Sequence, residues 1–217
     1  MLEEALPVPL AGNWDGALLQ PIAEINQRML EMLRAIAGGA GSAVGSAGSE
    51  HRLPHLVALL REDWRRLEPR ALRRLAACPY LLVDAGFGAP ERWERPCTGA
   101  VRDLPMYRGY FAGPDGIALV RRTLLLAWHL ARANRLSARV LLGMDARSAE
   151  RIADSRLEDL DALAEGGAPW IIPRWEQQPL VWRQLLRGAC GGPDAQLRAV
   201  QLRGLQLMAA ACGRSRA

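Results

Sequence analysis

Residues Val120 to Trp175 read VRRTLLLAWHLARANRLSARVLLGMDARSAERIADSRLEDLDALAEGGAPWIIPRW. The reading of this stretch decides the fold. Val120, Leu124, Ala127, Trp128 and Ala131 recur with the period of an amphipathic helix. A second segment runs through Leu136, Val140 and Leu141 to Gly143, a residue able to close a helix in the left-handed conformation. Asp145 then stands as the N-cap of a short helix carrying Ala149, Ile152 and Ala153. Ser155 and Glu158 have the spacing of a capping box, which predicts a further helix from Ser155 to Glu165. Its apolar positions are Leu157, Leu160, Leu163 and Ala164, and it stops at Gly166-Gly167. Pro169 to Trp175 follows as an extended run, apolar except for Arg174. Two short helices after a longer one give the outline of a helix-turn-helix.

Reading outward, the first half repeats this style with different punctuation. Leu18, Ile22, Ile25, Met29, Met32, Leu33 and Ile36 lie at helical spacing with polar residues between them, a wide apolar face suited to a core or to a partner helix. Gly38 to Ser49 has the composition of a flexible linker. A helix is predicted to start near Leu53-Pro54 and to carry Leu56, Leu59, Leu60, Trp64 and Leu67. Its polar side holds the densest arginine cluster of the chain: Arg61, Arg65, Arg66, Arg70, Arg73 and Arg74. Tyr80 to Val83 fits a short strand, and Gly86 to Asp115 a long connection. Shifting the sequence by 88 positions lays Leu72, Leu75 and Ala76 on Leu160, Leu163 and Ala164. An internal duplication and a chance echo both explain this. After Trp175 come a helix through Val181, Trp182, Leu185 and Leu186, and a last one opened by Pro193. The last helix is apolar nearly all round, which predicts burial in the body or in an interface.

The central stretch resembles the FlhD family, the smaller subunit of a bacterial flagellar master regulator. The residues that carry the resemblance are LLLAWHLA (124–131), LLGMDARSAERIA (141–153), LEDLDALAE (157–165) and the tail ending Arg174-Trp175. They cover about a quarter of the chain. Family members are roughly half this length, and Ile171 stands where they often carry a cysteine. The resemblance implies a dimer-forming transcriptional regulator of motility or secretion genes whose partner subunit does most of the DNA recognition.

Composition bounds the alternatives. Of 217 residues half are hydrophobic, and the net charge is +5. All 28 basic residues are Arg, the side chain suited to bidentate contacts with phosphate or carboxylate. Four scattered cysteines form no C-x-x-C pair, which argues against a zinc ribbon or a disulfide-stapled module. The acidic opening lacks the basic start of a secretory signal, and no apolar run has membrane-span length, so a cytoplasmic location is expected. No phosphate-cradling loop or nucleophile elbow is present. His51 and His55 share an i,i+4 face if helical, but no carboxylate completes an H-E-x-x-H arrangement, and His129 reads as a core-edge residue, so no catalytic residue, metal or cofactor is expected.

The helix 155–165 sets Arg156 against Glu158, Asp159, Asp161 and Glu165. Phosphates line both edges of a DNA groove and would repel it. It suits a basic protein partner instead, with Trp170 and Trp175 as apolar anchors. Phosphate contact falls to Arg121, Arg122, Arg132, Arg135 and Arg139 beside the first helix, and to Arg65, Arg66 and Arg73 upstream.

The expected architecture is all-α or mostly α: a multi-helix body with a helix-turn-helix-like unit and at most short strands. Its expected parts are an N-terminal helix with linker (1–49), an Arg-rich helical region with a loop (50–115) and an FlhD-like domain with C-terminal helices (116–217). The expected function is a transcriptional regulator or co-regulator in a complex, as a homodimer. The alternative is an adaptor that binds proteins through its helices and does not touch DNA.

Overall fold

The computed structural model describes residues 16–39, 53–90, 93, 110–111, 113–165 and 171–214. Nearly all regular structure among them is helical. In chain order the elements are α1 (Gly16–Gly38), α2 (His55–Leu59), α3 (Arg61–Arg65), α4 (Pro69–Ala76), β1 (Val83–Asp84), α5 (Gly113–Ala133), α6 (Arg135–Leu142), α7 (Ala146–Asp154), α8 (Leu157–Glu165), β2 (Ile172–Pro173), α9 (Pro179–Cys190) and α10 (Asp194–Arg214). The mostly-α expectation therefore holds.

The wide apolar face of α1 belongs to the core. Ile22, Ile25, Met29, Leu30 and Leu33 are buried, and α1 lies against α2, α3, α4 and α5. Asn26 is buried beside them because its amide completes backbone pairing that the fold leaves open. Its Nδ2 donates to the carbonyls of Tyr80 (2.9 Å) and Ala76 (3.3 Å), and its Oδ1 accepts from the Leu82 N–H (2.7 Å). A buried carbonyl without a donor would cost about 1–3 kcal/mol.

The helix expected from Leu53 is broken at Leu60, whose backbone (φ −114°, ψ 23°) separates α2 from α3. The break leaves Leu56, Val57, Leu60, Trp64 and Leu67 all buried. Glu68 is extended, the backbone favoured before a proline, and Pro69 opens α4. The long connection proves shorter than expected at its end, since α5 already begins at Gly113.

The central stretch forms as its punctuation predicts, with one exception. Asn134 caps α6 by accepting from the Ser137 N–H, and Gly143 closes it at φ 68°. Asp145 caps α7, accepting from both the N–H and the hydroxyl of Ser148. The capping box at Ser155 does not form. Ser155 ends α7 instead, its hydroxyl donating back to the Arg151 carbonyl (2.8 Å), and α8 starts at Leu157. Trp128 holds that turn by donating its indole N–H to the Ser155 carbonyl (3.0 Å).

The two short strands pair with each other, antiparallel, with Val83 opposite Pro173 and Asp84 opposite Ile172. They join the two ends of the chain's core. Trp64 meets Trp182 with ring centroids 5.3 Å apart, which fastens α3 to α9. The last helix is only partly covered. Leu197 and Met208 are buried, but Leu202 (57 %) and Leu207 (43 %) face outward, so the body itself covers only part of this helix. No described helix is long and apolar enough to cross a membrane.

Candidate functional site

A grouping of polar, surface-accessible side chains lies where α5 ends and α6 and α7 begin. Arg132 lies 4.7 Å from the Trp128 ring centroid in a cation–π contact that holds the guanidinium over the helix end. Arg135, one turn on, reaches Glu150 of α7 at 3.7 Å. Arg132, Arg135, Ala153 and Asp154 line an open recess of about 400 Å³, and Arg147, Glu150, Arg151 and Asp154 line another of about 350 Å³. The two adjoin at Asp154, which lines both; together they carry four guanidinium groups and two carboxylates, a positive balance. Arg139 continues the line, half-buried, one turn beyond Arg135 on α6. Exposed guanidinium groups can contact an anion by charge, without reading a base sequence.

Other residues named from sequence are distributed differently. Arg121 does not face solvent alone. Its Nε donates to Asp161 (2.8 Å) and its Nη2 to Glu165 (3.1 Å), so α5 and α8 are clasped together. One guanidinium thus stands between two carboxylates, which occupies Arg121 and leaves the cluster net negative. Arg122 remains exposed beside it. Glu158 and Asp159 are exposed on the first turn of α8, where they also complement the helix dipole.

Trp175 is half-buried, in an edge contact with Tyr80 at 5.5 Å, and its backbone is left-handed (φ 55°). It closes the body against α10 and is not an open anchor. Trp170 lies outside the described residues.

In the first half Arg65 pairs loosely with Glu62 (3.5 Å), while Arg66 and Arg73 are exposed. Arg74, named within the same cluster, is structural. It donates to the carbonyls of Ala189 (2.6 Å) and Gly192 (3.0 Å) and to Asp194 (2.7 Å), tying the end of α9 to the start of α10.

Sequence reasoning missed Arg174 as an organising residue, although a lone arginine in an apolar run was its signal. Arg174 is 7 % exposed. Its Nε donates to the Leu81 carbonyl (2.7 Å), and its Nη2 to those of Val83 (3.0 Å) and Leu142 (2.8 Å). Its own N–H bonds the Leu82 carbonyl, and its carbonyl accepts the Trp182 indole N–H. One residue just after β2 thus reaches β1 and the end of α6 through its side chain, and α9 through its backbone carbonyl. Tyr110 and Glu176 form a second buried pair, the phenol donating to the carboxylate at 2.8 Å. A lone tyrosine in a loop gave no signal of it.

Cys78 shows what the interior does to nucleophiles. Burial pushes its thiol from the ordinary 9.0 up to about 12, outweighing the opposing pull of Tyr80 and Arg174. It is protonated and shielded at neutral pH. Among the described residues no three His, Cys, Asp or Glu side chains come together as a metal site. No family model matches the sequence, and neither a curated protein nor a solved structure matches it.

Proposed function

We propose that this chain is a transcriptional co-regulator that works within a protein complex and touches the DNA backbone through the groove between α5, α6 and α7. The observation that carries this reading is the grouping of Arg132, Arg135, Arg147 and Arg151 around one open, net-positive groove. The resemblance to FlhD supplies the target class, motility or secretion genes, and agrees with the order of α5 to α8. The groove contacts phosphates, so it adds affinity and leaves base recognition to a partner. The exposed Glu158 and Asp159 are the acidic end presented to that partner.

The test is binding of duplex DNA by the purified chain, alone and with its genomic neighbours, at several salt concentrations. Replacing the four arginines with Ala is expected to weaken binding equally on all sequences. The slope of log affinity against log salt should fall by about 3 to 4, near 0.9 for each phosphate no longer neutralised. An unchanged slope removes the groove from the interface. Absence of DNA binding under every condition, together with no promoter enrichment in chromatin capture, would favour the adaptor reading. That reading rests on Glu158 and Asp159 standing exposed on α8.

A further inference from the structure

The two halves of the chain repeat one another in three dimensions. The long helix α1 packs on α2, α3 and α4; the long helix α5 packs on α6, α7 and α8. Each set is followed by a two-residue strand. At an offset of 88, Leu72 and Ala76 of α4 fall on Leu160 and Ala164 of α8, and all four are buried.

The turns after the strands match in a detail that composition does not explain. The second turn is one residue longer, so the offset becomes 89: Gly86 and Trp175 both have left-handed backbones (φ 70° and 55°). Pro90 and Pro179 each precede a tryptophan by three residues. The Trp93 indole N–H donates to the Gly86 carbonyl at 3.1 Å, and the Trp182 indole N–H to the Arg174 carbonyl at 2.6 Å.

The strands then pair with each other. Asp84 lies opposite Ile172, its own counterpart 88 positions on. Antiparallel pairing of equivalent residues is the geometry of a two-fold axis. The long helices α1 and α5 also meet across it.

We infer that Gly16–Trp93 and Gly113–Trp182 are two diverged copies of one helical unit, and that the approximate two-fold axis between Asp84 and Ile172 does within one chain what a homodimer interface does between two. The Gly/Ser-rich run at 38–49 is then an insertion in the first copy, since α6 follows α5 after a single residue. The copies have diverged most on their outer faces. Exposed Arg70 and Arg73 on α4 fall on exposed Glu158 and Asp161 on α8. A homodimer would present two like faces. This chain instead carries unlike charges at equivalent positions, and Asp161 is already engaged by Arg121. The axis stands whether or not the chain binds DNA.

The test places cysteines at the axis. Opposed residues in antiparallel strands have Cα atoms about 4.5–5.5 Å apart, within the range a disulfide bridges. In a background with Cys97, Cys190 and Cys212 changed to Ser, the full chain would carry Asp84→Cys and Ile172→Cys together, and each alone. On mild oxidation the double variant should cross-link within a single chain of 23.8 kDa, and the single variants should stay uncross-linked. A covalent species of twice that mass, or no cross-link in the folded double variant, would overturn the inference. Sedimentation of the unsubstituted chain keeps the proposal testable if the variants fail to fold. One species of 23.8 kDa at all concentrations is expected, and a concentration-dependent doubling would refute the replacement of a second copy by the internal axis.

Discussion

Arg174 brings a full charge into the core, where its guanidinium donates to backbone carbonyls. Such a group is tolerated because its fork of donors meets three acceptors that would otherwise lack them, each worth about 1–3 kcal/mol when orphaned. Arg174→Met keeps much of the volume and removes every donor. It is expected to lower stability by at least about 3 kcal/mol in urea unfolding; a loss below about 1 kcal/mol would mean that other donors replace the guanidinium. Gly143 is bound up with the same side chain. Its φ of 68° disfavours any Cβ, and a Cβ there would stand 2.6 Å from the Arg174 guanidinium. Gly143→Ala should therefore cost more than the roughly 1 kcal/mol of a left-handed alanine. Cys78 adds a pH dependence whose sign follows from its raised value. A thiol at about 12 instead of 9.0 favours the protonated form in the folded state. Its contribution is complete below about pH 9 and is lost as pH rises toward 12. Burial raises Tyr80 too, which acts in the same direction. The urea midpoint should fall between about pH 9 and pH 12, and less so in Cys78→Ala.

At the scale of elements, two side chains that looked alike in sequence have different work. Asp145 caps α7 with two hydrogen bonds, and Asp145→Ala should cost about 1 kcal/mol or more. Ser155 caps no helix start, so Ser155→Ala should stay within about 0.5 kcal/mol. Equal losses in thermal unfolding would contradict the assignment. The contrast shows what was legible. Gly143, Asp145 and the apolar periods of α1 and α5 act over three or four residues, and a sequence displays such relations directly. Ser155 had the spacing of a capping box, but the Trp128 indole, 27 residues away, takes its carbonyl and fixes the turn otherwise. Arg121 met the same fate in the candidate site. Its charge was visible, but its engagement with Asp161 and Glu165 depends on how α5 lies against α8. The groove arginines Arg132 and Arg135 were named from sequence. Arg147 and Arg151 were not, because nothing local says that α7 turns their side beside the end of α5.

Across the whole molecule, the connections that matter join distant parts of the chain. The β1–β2 pair, the α1–α5 contact, the Trp64–Trp182 contact and the Arg74 clasp on α9 and α10 all span the two halves. None of the halves' larger surfaces is closed without the other: α9 follows β2 in sequence yet packs on α3 and α4 of the first half. Two independently stable halves would give two transitions. This exchange of elements predicts one, with far-ultraviolet dichroism and tryptophan fluorescence changing together along the urea axis. The fluorescence signal draws on both sides, since Trp64 and Trp182 are fully buried at the seam and Trp128 lies at the far end on α5. Trp64→Ala should test the coupling most sharply. Removing the ring opens a cavity at the seam and should cost about 3–5 kcal/mol. If the halves depend on each other, the whole transition moves to lower urea and stays single. If the loss splits the curve, leaving α5 to α8 folded while α1 to α4 melt, the second unit stands on its own and the seam is a contact between finished parts.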